Sequence, residues 1–178
     1  MACWNLIEHK ELGGTASTVS FTSIAASYDH LLLLSSARCD HSGTNNSYKF
    51  QLNGETAATN YSYTELNAST STPTSSQYTT EATAGGYVRV PAATATADTF
   101  SVTKFWIPNY ANTSNFKQVL TQNTMPNAST TNNEWYVKIV AGLWANTAAV
   151  DEITLGPLGS GDFVQYSTFT LYGINGAA

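Results

Sequence analysis

Charged residues are scarce in this sequence. Only 11% of its 178 residues are Asp, Glu, Lys or Arg, against about 25% in an average globular domain. Seven residues are basic, and the formal net charge is −5. Nucleic-acid binding needs a basic face, so the composition excludes that class of function. An active site needs an acid, a base and orienting groups, so this scarcity predicts a protein that is not an enzyme.

Long apolar runs and cysteines are scarce as well. No stretch of about 18 apolar residues occurs, and we therefore expect no contact with a membrane through a spanning helix. The first residues, MACWN, lack a basic start followed by an apolar stretch, which predicts synthesis in the cytoplasm without a signal peptide. Cys3 and Cys39 pair only if the first and third strands meet, and a reducing compartment favours free thiols.

Motifs for metal binding or catalysis are missing too. The three histidines show no metal-ligand spacing. Cys39-Asp40-His41 is the densest polar group, but adjacent residues at a strand end point in alternating directions, which predicts a solvated turn. Neither the carboxylates nor the GSGD segment at 159–162 form a catalytic pattern. We therefore expect no catalytic residue, no metal and no cofactor.

Short polar residues are abundant instead. Thr, Ser and Asn supply 59 residues, and these side chains compete with the backbone hydrogen bonds of a helix. Hydrophobic residues make up 42% of the chain, and the length suffices to bury one core without a disulfide or a metal. The composition predicts a single domain over residues 1–178 with little helix.

Alternation of apolar and polar residues with a period of two predicts most of the strands. The clearest example is 47–53, where Tyr48, Phe50 and Leu52 share one face and the turn-forming pair Asn53-Gly54 follows. Four consecutive leucines at 31–34 predict a central strand covered on both faces. Further strands are predicted at 100–107, 135–144, 150–155 and 163–172, and at 4–12 and 18–24 as a loosely turned pair across Gly13-Gly14.

Eight to ten short strands without any βαβ alternation predict an all-β fold. An antiparallel β-sandwich fits this count, and a jelly roll of eight strands in two sheets fits it best. A Thr/Ser/Ala-rich segment at about 67–99 interrupts the pattern. We interpret it as an excursion from one end of the sandwich, with a short strand near 85–91.

Aromatic residues make up 12% of the chain and offer candidate binding positions. Most are expected in the core. An outward subset, Tyr136, Trp144 and Tyr172, is expected to serve subunit contacts. Exposed aromatics on a sheet face are also typical of carbohydrate binding, with Tyr61-Ser62-Tyr63, Phe105-Trp106 and Trp135-Tyr136 as candidates.

Seven short segments appear in order along nearly the whole chain, from about residue 17 to residue 174. They are YDHLLL at 28–33, SAR at 36–38, FQLNG at 50–54, NYS at 60–62, IPNYA at 107–111, AGLW at 141–144 and STFTLYGI at 167–174. As an ordered set, they resemble segments of small β-sandwich virion proteins of tailed bacteriophages, including cyanophages. Each segment is a strand with its turn, so the resemblance implies no active-site residue.

The resemblance implies a structural protein of the phage virion, made in the host cytoplasm. The absence of a coiled-coil or collagen-like shaft favours a capsid decoration (cement) protein on the capsid surface. Such a protein would bind the major capsid protein as a homo-oligomer, expected to be a trimer, and stabilise the assembled head. The alternative is a tail or fibre module that binds host-surface glycans. A secreted glycoside-active enzyme is the third hypothesis.

Overall fold

The computed structural model describes residues 3–69, 72–126 and 135–175. Within these residues, no helix is long and apolar enough to cross a membrane. The only helical element among them is a 3₁₀ turn at Ala58–Asn60. The strands, in chain order, are β1 Cys3–Glu11, β2 Val19–Phe21, β3 His30–Ala37, β4 Asn45–Leu52, β5 Tyr61–Ser69, β6 Thr72–Tyr78, β7 Val88–Pro91, β8 Ser101–Pro108, β9 Lys117–Met125, β10 Tyr136–Trp144, β11 Ile153–Pro157 and β12 Thr168–Asn175.

The strands form two antiparallel sheets that pack face to face. The large sheet has the order β1-β12-β3-β8-β9-β10-β5-β6, and the small sheet has the order β2-β11-β4-β7. The prediction of an all-β antiparallel sandwich is confirmed. The described residues contain twelve strands rather than eight to ten. They are divided eight and four, instead of the two four-stranded sheets of an eight-stranded jelly roll.

Aromatic side chains fill the space between the sheets. Phe50 of the small sheet stacks on Phe105 of the large sheet with ring centroids 4.3 Å apart. Tyr48 contacts the ring of Phe163 edge-on at 5.4 Å, and its hydroxyl shares a hydrogen bond of 2.8 Å with the Ser35 hydroxyl. These inward positions are the ones that the alternation in 47–53 predicted, and that prediction is confirmed.

The leucine run at 31–34 lies in β3, between β12 and β8, so its central position is confirmed. Leu31 and Leu33 belong to the core between the sheets. Leu32 faces the other side and is only 1% exposed, because Tyr172 and Trp106 lie directly beside it on the neighbouring strands. Side chains of the same sheet, rather than a second layer, therefore bury Leu32.

The predicted N-terminal pair of strands is wrong. β1 pairs with β12 in the large sheet, whereas β2 pairs with β11 in the small sheet, so the two segments lie in different layers. The break in alternation at Leu6-Ile7 has a structural cause, since the register of β1 shifts between Leu6 and Glu8 as at a β-bulge. Asn53 and Gly54 adopt positive φ angles of 50° and 62° and form the predicted tight turn, but β4 does not continue into a hairpin partner.

The segment at 67–99, expected as an excursion, supplies an edge strand to each sheet. β6 borders the large sheet and β7 borders the small one. The chain between them reaches the sandwich interior, because Ala84 is fully buried and its amide donates to the Phe50 carbonyl. β7 also confirms the short strand expected near 85–91.

Candidate functional site: the outer face of the large sheet

The Cys39-Asp40-His41 group forms no combined site. Cys39 is a free, buried thiol, and burial raises its pKa. The Asp40 carboxylate accepts a hydrogen bond from the Asp162 amide at 2.7 Å, and His41 Nδ1 accepts one from the Gly43 amide at 3.1 Å. Among the described residues, no three His, Cys, Asp or Glu side chains come together as metal ligands. The side chain of Cys3 lies outside what the structure describes.

The large sheet has an outer face turned away from the core, and this face carries most of the large exposed apolar side chains. The register aligns its residues in three rows across all eight strands. We call these rows the outer face. Their members, from β1 to β6, are Leu6, Tyr172, Leu32, Trp106, Leu120, Ala141, Thr64 and Gln77; then His9, Thr170, Leu34, Lys104, Gln122, Ile139, Leu66 and Ser75; then Glu11, Thr168, Ser36, Val102, Thr124, Val137, Ala68 and Pro73.

Exposed apolar groups cluster where β9, β10 and β5 run side by side. Leu66 is 61% exposed, Val137 55% and Ile139 46%. At the other end of the sheet, Trp4 extends the face and packs edge-on against Tyr172, with ring centroids 5.9 Å apart. Isolated exposed apolar residues are ordinary on protein surfaces, but a contiguous set of this kind marks an interaction site.

The outer face carries almost no charge. Lys104 and Glu11 are the only Asp, Glu, Lys or Arg residues in the three rows, and Glu11 lies on the edge strand β1. Seven strand spacings of about 4.8 Å and strands of seven to nine residues give an area on the order of 800 Å². That area equals about one partner's share of a standard protein–protein interface. The face suits contacts that are apolar and polar rather than ionic.

The aromatic residues predicted to face outward divide between the two sides of the sheet. Tyr172 lies on the outer face as expected. Trp144 points into the core and is 1% exposed, so its predicted role in subunit contacts is wrong. Tyr136 also points inward, where the Arg89 guanidinium lies 4.9 Å from its ring centroid. β10 is apolar on both faces, and its alternation therefore could not tell which face is the core.

A groove of about 340 Å³ crosses the outer face from β8 to β6. Trp106 and Pro108 lie on its β8 side and Gln77 on its β6 side, while the small residues Ser62 and Ala141 lie between them. The groove exists because these small side chains separate larger ones. Of the aromatics predicted for carbohydrate binding, Tyr61, Tyr63 and Phe105 are buried, whereas Trp106 and Trp135 are accessible.

Comparison with family models, curated proteins and solved structures finds no significant match for the chain. The resemblance to phage virion proteins therefore stays a prediction.

Proposed function

We propose that the chain is a structural protein of a phage virion that decorates the assembled capsid. The observation that carries this proposal is the outer face of the large sheet, which is wide, nearly uncharged and carries a cluster of exposed apolar side chains. A contiguous set of exposed apolar side chains on one sheet face is typical of a surface that contacts another protein. The sequence resemblance supplies the partner, namely the major capsid protein in its lattice.

The proposed mechanism is thermodynamic. A protein that binds the assembled lattice and not the free subunits stabilises the lattice by mass action. We propose a trimer placed where capsid subunits meet, which would bring several copies of the outer face to one lattice position. Sandwich strands held by a core of aromatic rings provide a rigid support for such a face.

Locating the protein on the virion tests the proposal. Particles of the phage that encodes the chain would be imaged with a gold-labelled antibody, and the copy number measured against the major capsid protein. Decoration predicts label over the whole head and a fixed ratio to the major capsid protein. Label confined to the tail, with only a few copies per particle, would contradict decoration.

The groove favours a second candidate function, a tail or fibre module that binds host-surface glycans. Trp106 offers a flat apolar ring, and Gln77 and Gln118 offer amide groups in the same groove. Sugar rings bind through this combination of an apolar face and hydrogen-bonding amides. Binding of the purified protein to a glycan array, abolished by Trp106→Ala, would support this candidate. Label over the head without glycan binding would exclude it.

A further inference from the structure

A buried ion pair joins two neighbouring strands of the large sheet on its inner side. Lys138 of β10 lies with its Nζ 2.9 Å from Glu65 Oε2 of β5, and the two side chains are 5% and 7% exposed. The same Nζ donates a hydrogen bond of 3.1 Å to the Tyr87 carbonyl. Burial lowers the pKa of Lys138, and Arg89 lowers it further, while Glu65 acts in the opposite direction. Removing two charges from water costs free energy, and an apolar pair at the same positions often stabilises a fold equally well.

Two asparagines flank this lysine. Lys138 lies directly opposite Asn67 on β5 and directly opposite Asn123 on β9. Residues opposite one another on antiparallel strands have Cβ atoms about 4.5–5.5 Å apart, a distance that a lysine side chain spans easily. Glu65 precedes Asn67 by two positions and therefore lies on the same face of β5. Lysine, carboxylate and amide thus share one buried patch.

The two asparagines differ in their hydrogen bonds. Asn123 Oδ1 accepts from the Arg89 amide at 2.9 Å, and its Nδ2 donates to the Arg89 carbonyl and the Thr103 hydroxyl. Within the described part of the chain, the Asn67 Oδ1 atom is buried and has no hydrogen-bond partner. A buried polar atom without a partner is uncommon and requires an explanation. The Asn67 side-chain carbonyl is therefore not held by a hydrogen bond, whereas the Asn123 side chain makes three.

We propose that Lys138 and Asn67 form an intramolecular isopeptide bond, with Glu65 as the proton shuttle. Glu65 first takes a proton from the Lys138 ammonium group, which leaves a neutral amine and a neutral carboxylic acid in the buried site. The acid polarises the Asn67 carbonyl as Nζ attacks Cγ. A bond forms between Nζ and Cγ, and the bond between Cγ and Nδ2 breaks as Glu65 gives its proton to the departing nitrogen. The Glu65 carboxylate then takes the second proton from Nζ, which becomes the amide N–H of the new bond. Ammonia leaves, and nothing is oxidised or reduced.

The site suits this reaction for two physical reasons. In a buried setting, a proton moves from the amine to the carboxylate more readily than in water, because neither charge is well solvated. The sheet also holds the amine and the amide opposite each other, which replaces a bimolecular encounter by an intramolecular one. The product ties β5 to β10 covalently and restricts the unfolded chain between residues 67 and 138, as a disulfide does. This inference is independent of the proposed function.

The intact mass of the denatured protein tests the proposal. The wild-type chain is expected to be lighter than its sequence mass by one ammonia molecule, with Met1 either retained or removed. Digestion with trypsin should give peptide 50–89 joined to peptide 118–178, because trypsin does not cleave after a modified Lys138 and no Lys or Arg follows it. A wild-type mass equal to the sequence mass would overturn the proposal.

Variants assign the roles, provided that circular dichroism shows each one folded, because the reaction needs the sheet to hold the amine and the amide together. Lys138→Arg, Glu65→Gln and Asn67→Ala should each restore the full sequence mass, and Asn67→Asp should lose water in place of ammonia. A mass deficit that persists in Lys138→Arg would have another origin, such as a succinimide, and would overturn the proposal.

Two matched controls should keep the deficit. Lys117→Arg replaces a second buried lysine, whose Nζ donates only to the carbonyls of Asn115 and Thr147 in the described structure. Asn123→Ala replaces the other flanking asparagine. A deficit lost in Asn123→Ala and kept in Asn67→Ala would overturn the assignment to Asn67.

Discussion

Arg38 connects the end of β3 to the loop at 92–99. Its guanidinium donates hydrogen bonds to the carbonyls of Ala92, Ala95, Thr96 and Thr99, at distances between 2.8 and 3.2 Å. Arg38→Ala removes the guanidinium from all four carbonyls, although Ala92 still accepts from the Ala95 amide and Thr96 from the Thr99 hydroxyl. We therefore expect the free energy of unfolding to fall by roughly 2–4 kcal/mol. Lysine cannot replace the two-pronged geometry of the guanidinium, and Arg38→Lys should recover little of the loss.

Urea denaturation measures this difference. Lys104→Ala is the control, because Lys104 is an exposed cation on the outer face and its removal should change stability by no more than about 0.5 kcal/mol. If Arg38→Lys had the wild-type free energy of unfolding, the positive charge alone, and not the several N–H donors of the guanidinium, would hold the loop.

Tyr48 makes the stability of the fold sensitive to alkaline pH. Burial raises its pKa from 10.0 to about 12, although hydrogen bonds, including one with Ser35, act in the opposite direction. Between these values the unfolded chain loses the phenolic proton and the folded chain keeps it. The free energy of unfolding should therefore fall as pH rises from about 10 to 12, by roughly 3 kcal/mol for this residue. Urea titrations across this range should show a smaller fall in Tyr48→Phe; equal falls would contradict the assignment.

At the scale of a strand, Gly142 allows β10 to pass beneath the chain at residue 84. A Cβ atom at position 142 would lie 1.7 Å from the Ala84 carbonyl oxygen, which is backbone and cannot rotate away. Gly142→Ala should therefore cost at least about 4 kcal/mol, an effect large enough to separate the two segments. Gly13→Ala is the matched control, because a Cβ there meets no atom within 4 Å. Similar melting temperatures for the two variants would contradict this account.

The strands that could be predicted from sequence are those with one apolar and one polar face. β4 shows its inward set, Tyr48, Phe50 and Leu52, directly in the alternation. The sequence pattern does not reveal β6, because an edge strand rich in Thr and Ser buries little apolar surface. The position of β6 in the sheet depends on its pairing with β5. The outer face was missed for the opposite reason. In β10 the outward residues are as apolar as the inward ones, and only the packing of the second sheet tells them apart.

At the scale of the whole molecule, the sandwich is asymmetric. Eight strands face four, so the small sheet covers the inner side of the large sheet, while the outer face carries exposed leucine, isoleucine and valine. Because this face carries few charges, it attracts a partner only weakly over long distances. Binding through it should depend on shape complementarity and on burial of apolar surface. If the chain binds a capsid lattice as proposed, moderate salt should therefore weaken that binding only slightly.

Substitutions on the outer face give the sharpest test of this arrangement. Leu120→Asp and Ile139→Asp should each weaken rebinding to heads that lack the protein by at least about tenfold, because an unpaired carboxylate would be buried in the contact. Tyr166→Asp is the matched control: Tyr166 is 65% exposed and lies in the turn between β11 and β12, outside the three rows of the outer face. Co-sedimentation with heads measures binding, and unchanged melting curves verify folding. Equal weakening by Tyr166→Asp, or release of the wild type by moderate salt, would place the contact elsewhere on the molecule.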